Sequence, residues 1–341
     1  MPATRENESR SRLGSSLLLR GDLKRSVSAA KLVASRMGAA SLTVLALVSC
    51  VFLVLRLVPG DAATLILGDN ASPQALGELR HRLGLDQTLF RQYLAFLGGA
   101  LRWDLGRSLL YPGEGATCVV SRAVRPTAEL SSLAVLLGSV GGIVAAVLSL
   151  GPFLKRSRGF LLGAILAVAA VPMLSFAPLV TFLCAVRWRL VPLPGDPEAG
   201  VAGLMFAAAL LSLPLGAQVA RAARASLLDQ AKGQFLTVAK AKGAGVFRIW
   251  FIHALAVSAP PIVVVIAMQL GALLGGAVVL ERLFERPGLG SLMLKAYFAR
   301  DLPVLEGCVI VAGLMFVTTQ TVAAAIHAAV DPRRGEVQPN E

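Results

Sequence analysis

The chain has 341 residues, 55% of them hydrophobic, with a mean hydropathy of +0.70 and a formal net charge of +13. That apolar content exceeds what a soluble core of this size requires, which excludes an ordinary globular domain. The basic residues have no interleaved aromatics and form no single cluster, which excludes nucleic acid as a partner, and the four cysteines show neither a disulfide framework nor paired metal spacing.

Residues 1–36 form a basic tail with eight Lys or Arg against three Asp or Glu. A bilayer core about 30 Å thick needs roughly 20 uncharged residues in a spanning helix. The first such window is Met37–Leu55, 19 residues. The tail before it, and its own length, argue against a signal peptide and for an uncleaved first helix. A long, nearly charge-balanced loop follows over 56–129. The remaining windows are Leu130–Leu154, Gly159–Val186, Ala199–Ala220, Ile249–Leu280 and Gly307–Val330, and residues 331–341 form a short C-terminal tail. Six windows predict an all-α membrane protein of six transmembrane helices, with a permease domain over 37–330.

Charge alternates between the connections. Segment 155–158 carries three basic residues and no acidic one, and 221–248 carries six against one, whereas 187–198 and 281–306 are balanced. The positive-inside rule then places both termini and the 221–248 loop in the cytoplasm and the 56–129 loop outside.

Within the windows there is no Asp or Glu, so the carboxylate relay of a proton- or ion-coupled transporter is missing. His253 and His327 lie near window ends and read as interfacial or packing residues. Gly138-Ser139-Val140-Gly141 has a faint likeness to a serine nucleophile motif but reads as small-residue helix packing, continued by Gly142; Gly271, Gly275 and Gly276 form a second such face. Pro172 and Pro178 predict kinks in the third window; Pro260 and Pro261 kink the fifth or mark a helix end. Gln218, Ser258, Gln269 and Gln320 line a path or bond between helices. No GxxxxGK[ST] loop occurs, so the energy for active transport must come from a partner.

Only the 221–248 loop is large enough to grip one. It has no proline, and Leu228, Ala231, Phe235 and Ala239 recur at helical spacing, with Lys232, Lys240 and Lys242 off the stripe and Gly243 and Gly245 breaking it. Such a helix either lies on anionic lipid or docks on a protein. Here the sequence resembles a known family. Phe235-Leu236-Thr237-Val238-Ala239-Lys240-Ala241-Lys242-Gly243, followed by His253-Ala254-Leu255, resembles the coupling-loop motif of ABC importer permeases of the dipeptide, oligopeptide and nickel family. Seven further tags follow the family's order: Arg56–Asp61, Leu83–Asp86, Asp104–Ser108, Gly275–Val279 with Glu281 and Phe284, Pro287–Gly290, Asp301–Val304 and Asp331–Arg333. The long first loop resembles the B-type permease.

The resemblance implies a type I ABC importer transmembrane domain in a bacterial or archaeal cytoplasmic (inner) membrane, performing no bond chemistry itself. It implies a homologous C-type permease, two ATPase subunits that use the ATP, an extracytoplasmic substrate-binding protein, and peptide cargo; nickel, glutathione or a sugar are the alternatives. Phe235, Leu236, Ala239, Lys240, Lys242 and Gly243 would couple to the ATPase, while Gln269, Glu281 and Asp301 are candidates for the path or an outer gate. Phe235 and Lys240 stand where the family usually has Tyr and Arg, and Thr237 and Val238 where it has Arg and Thr. A passive channel or membrane scaffold, which would have no ATPase partner, is the reading from another class.

Overall fold

The structure is a computed structural model, and it describes residues 38–54, 56, 64, 71–82, 84–150, 156–231, 241–275 and 277–330. Among them all regular structure is helical apart from one bridge, Arg107 to Gly115. In chain order the helices are α1 (Gly38–Val54), α2 (Pro73–Arg82), α3 (Leu89–Leu101), α4 (Ala116–Leu150), α5 (Arg158–Ala170), α6 (Met173–Thr181), α7 (Gly200–Ala231), α8 (Leu255–Leu274), α9 (Val278–Leu283), α10 (Leu289–Phe298) and α11 (Leu302–Val330). A wider π turn, Phe182–Arg187, extends α6, and another, Arg248–Ala254, leads into α8. The chain divides into units 1–45 and 46–341. The described part of the first is the opening of α1, where Thr43 Oγ1 donates to the Ala39 carbonyl at 2.8 Å.

The described residues of every charge-free window are mainly helical, and four or five candidate spans are found among the described residues where the sequence predicts six. Among the described residues four helices are long and apolar enough to cross a membrane: α4, α7, the continuous Arg248–Leu274 and α11. The pair Arg158–Ala170 and Ser175–Arg187 makes a fifth if its 110° bend is one broken span. The described α1, at Gly38–Val54, is shorter than the others. The bend falls where Pro172 predicts it. Val171, placed before a proline, is extended (φ −79°, ψ 126°), which ends α5. Pro178 by contrast stays inside α6, and Pro260 and Pro261 stay inside α8 without ending it.

Helix ends overrun the charge gaps. α4 starts at Ala116, not Leu130, and takes Arg122, Arg125, Pro126 and Glu129 into its first turns. α7 continues through Ala231, so the first part of the 221–248 loop is a helix extension. α11 includes Glu306, one residue before the charge-free window, so with Glu129 in α4 and Asp229 in α7 three of the candidate spans hold a carboxylate outside the charge-free window.

α4 and α7 meet along a seam of small residues. A side chain at Gly138 would come within 2.5 Å of Leu215, one at Gly142 would strike the Gly216 carbonyl, and one at Gly216 would lie 3.0 Å from the Gly138 carbonyl. With no hydrophobic drive between helices in lipid, this close approach supplies the van der Waals contact that holds them. Gly271 likewise admits Phe316 and Gln320 of α11. Buried apolar residues gather in three clusters. One joins α4, α10 and α11 around Val120, Leu289 and Val304; one lies around Leu130, Leu211 and Leu280; one joins α4, α7 and α8 around Val147, Leu227 and Ile249.

Candidate functional site

The two ends of the bundle satisfy their helix termini with side chains of opposite charge. At one end, two acidic side chains with no solvent exposure sit at helix N-termini. Glu281 of α9 accepts bonds from Thr127 Oγ1 (2.5 Å) and from the Ser291 N–H in the first turn of α10 (2.9 Å), while Thr127 Oγ1 accepts the Leu289 N–H (2.7 Å). A carboxylate there satisfies free N–H groups and is stabilised by the helix dipole. The fit leaves no room for a larger residue at 288: a Cβ on Gly288 would collide with the Glu281 carboxylate.

Asp301 caps α11 through Oδ1, which accepts the Val304 N–H at 3.2 Å. Its Oδ2 accepts Ser108 Oγ (2.6 Å) and the Leu109 and Leu110 N–H groups (both 2.9 Å), and Ser108 Oγ accepts the Tyr111 N–H (3.0 Å). One buried carboxylate thus fastens the loop before α4 to the start of the last helix. Beside it Arg56 links three more pieces. Its Nε donates to Gln92 Oε1 at 3.0 Å, its guanidinium lies 4.9 Å from the centre of the Phe52 ring, and it pairs with Glu306 at 3.7 Å. Gln92 Nε2 in turn donates to the Gln87 carbonyl at 2.9 Å.

At the other end the last carbonyls of α4 face cations. Arg224 of α7 donates to Ser149 Oγ (2.9 Å) and to its carbonyl (3.4 Å), and Arg158 donates to the Leu150 carbonyl (3.4 Å). Positive charge at a helix C-terminus is stabilising for the same electrostatic reason. α7 runs past this point to Ala231, and the chain returns through Gly243, whose φ of +76° suits glycine, into the π turn at Arg248. Val246 and Phe247 are 45% and 62% exposed there, with the Phe247 and Phe251 rings stacked 4.5 Å apart.

Of the residues singled out by sequence, Phe235, Leu236, Ala239 and Lys240 lie outside the described residues. Lys242 is exposed in the turn beside Gly243. Glu281 and Asp301 share the carboxylate end, whereas Gln269 lies apart from both, its amide donating to Gln218 Oε1 across α8 and α7. Sequence reasoning did not single out Thr127, Ser149, Arg224 or Gly288 as a site. Ser108 and Gly288 do fall within quoted tags; nothing local marks Thr127.

Comparison with known proteins agrees with this architecture. Residues 138–336 match the family described as binding-protein-dependent transport system inner membrane component, and residues 30–120 match the N-terminal component of such membrane proteins. The chain is 31% identical to a probable peptide ABC transporter permease of Sinorhizobium fredii, over 83% of this chain and 92% of that protein. It is 29% identical to a di/tripeptide transport system permease of Pseudomonas aeruginosa (88% and 97%) and 33% identical to a glutathione transport system permease of Escherichia coli (83% and 91%). Among solved structures, the inward-facing MetNI methionine ABC transporter shares the fold, with a TM-score of 0.50 and 16% identity over 62% of this chain and 96% of that one.

Proposed function

Because this chain belongs to the family of binding-protein-dependent transport system inner membrane components, we propose that it is the half of a peptide importer's translocation path that receives the stroke of a separate ATPase. It is a permease component of an ABC importer in a multi-pass membrane setting. In our reading, α1 completes a six-span topology with both termini in the cytoplasm. The arginine end then faces the cytoplasm and the carboxylate end faces outward.

The observation that carries this reading is the arrangement at the arginine end. α7 leads out of the bundle to Ala231 and the chain returns at Gly243, so residues 232–242 are bracketed by helices packed together around Leu227 and Ile249. A segment joined through the chain to α7 on one side and to the turn before α8 on the other can pass a push to both, which is what a coupling helix must do. Phe235, Leu236, Ala239, Lys240, Lys242 and Gly243 are its coupling residues, and two ATPase subunits are the partners. A C-type permease supplies the other half of the path, and an extracytoplasmic binding protein delivers cargo to the carboxylate end. There Glu281 and Asp301 hold the outer gate's framework through helix capping, rather than touching cargo. Cargo is a di- or oligopeptide, the class named for several relatives, with glutathione the nearest alternative.

Uptake of labelled di- and tripeptides in cells deleted for this chain provides the test. The wild-type chain restores uptake. Gly243→Val, which forces a β-branched residue into a left-handed turn, and Ala239→Glu each reduce uptake roughly tenfold or more, while the chain remains in the membrane; a loss of 1.4 kcal/mol in coupling suffices for that factor. Full uptake in both variants contradicts the coupling role.

A further inference from the structure

Two glutamines pose a problem of solvation. Gln218 of α7 is exposed and Gln269 of α8 is half-buried on the surface of the chain, and they bond each other inside candidate membrane spans. Their depth follows from the seam. Gly142 packs on Gly216 and Val219, which flank Gln218, and lies about 12 Å along α4 from the arginine-capped Leu150 at 1.5 Å per residue. Gln218 also lies about 9 Å along α7 before Arg224, which bonds Ser149 at the end of α4, so the pair sits inside the apolar span in its arginine-end half.

Lipid does not satisfy what the pair leaves open. One bond uses one N–H of Gln269 and the oxygen of Gln218, leaving the Gln269 oxygen and three N–H groups. Exposed amides at this depth require a polar neighbour from outside the chain or water. One is at hand: Gln218 borders a cleft of about 750 Å³ between α5 and α7, which Arg221, Arg224, Leu162, Leu166 and Val265 also line. That volume is in the range of small-molecule sites. Arg224 is held by Ser149, but Arg221, one turn from Gln218, is exposed and pairs with no carboxylate among the described residues. Among the described residues no acidic side chain lines the cleft.

Resting on the permease reading, we infer that Gln218, Gln269 and Arg221 form a cargo-contacting station in the arginine-end half of the span, recognising amide groups and a free carboxylate. The glutamine pair presents both a C=O and N–H groups, the complement of a peptide bond. Arg221 presents a planar fork that accepts a carboxylate bidentately. The absence of acid favours the carboxylate end of a peptide over its ammonium end.

The importer, expressed with its own partner subunits, is tested with trialanine and trialanine C-terminal amide. Wild type takes up the free acid, and Arg221→Ala narrows its preference over the amide roughly tenfold, with Arg221→Lys between the two. Because every variant shares one binding protein, only the change relative to wild type is read. Gln218→Cys and Gln269→Cys, in a chain whose four cysteines are replaced by alanine, react with a charged thiol reagent and are protected by trialanine.

Three results overturn the station while wild type still transports. They are no labelling with uptake unchanged in the Gln218→Leu/Gln269→Leu double variant, as for a lipid-facing pair; no labelling with loss of the second permease subunit, as for a subunit contact; and labelling that trialanine does not block, with an unchanged acid-to-amide preference in Arg221→Ala. If wild type itself takes up no peptide, the peptide-importer reading fails instead, and the station's cargo class fails with it.

Discussion

The carboxylate end and the arginine end solve the same problem, unpaired backbone groups at helix termini, with unequal commitment. Glu281 and Asp301 are fully buried, and each is gripped by partners from distant segments. Arg158 and Arg224 reach α4's last carbonyls from more open positions, over two contacts of 3.4 Å, with a third of 2.9 Å from Arg224 to the Ser149 hydroxyl. A buried carboxylate that loses its donors has no water to turn to, whereas a partly exposed guanidinium does. The difference predicts that the carboxylate end tolerates substitution less than the arginine end.

Substitutions can break that contrast, and the largest effect is expected at Asp301. Asp301→Ala strips acceptors from Ser108 and from the N–H groups of Leu109, Leu110 and Val304, and should cost ~3–5 kcal/mol, read as a lower melting temperature in detergent and less folded protein. Asp301→Asn keeps acceptor capacity and should lose less. Between the ends, Gly142→Leu pushes α4 from α7 and should cost roughly 2–3 kcal/mol by the same measurement.

Gly288→Ala should destabilise by about 2 kcal/mol through its collision with Glu281. The shorter carboxylate of Glu281→Asp should relieve part of that cost, so the double variant will be more stable than the two single effects added. Additive effects would mean that the two do not share space. Arg224→Ala should be the mildest, about 1 kcal/mol or less, since water can replace it at the Ser149 carbonyl. A loss at Arg224 as large as at Asp301 would abolish the distinction between the ends.

Much of the bundle is legible in the sequence because lipid imposes a one-dimensional rule: uncharged runs become helices. The rule misplaces ends. α4 begins among Arg122, Arg125 and Glu129, and α7 continues past Arg221 and Arg224, because helices outlast the bilayer and carry charge where they emerge. Pro172 signals its bend, yet Pro126 and Pro214 lie within long helices that continue past them, so proline alone does not decide.

The sites are less legible. The tags flag Glu281 and Asp301 as residues of note, but their capping geometry depends on Thr127, 154 positions away, and Ser108, 193 positions away. Hydrogen bonds of that sequence separation leave no local pattern. Arg224 reads as one more basic residue until Ser149, 75 positions earlier, is seen beneath it.

In the proposed function the arginine end receives the stroke of a separate ATPase. Affinity purification of the tagged full-length chain, expressed with its partner subunits and reconstituted in liposomes, tests it most directly. The account expects an ATPase to purify with the chain and peptide uptake to require ATP on the arginine-end side, with Gly243→Val uncoupling hydrolysis from uptake. Peptide passage at full rate with no ATPase bound and no ATP present would contradict it and leave a passive channel in its place.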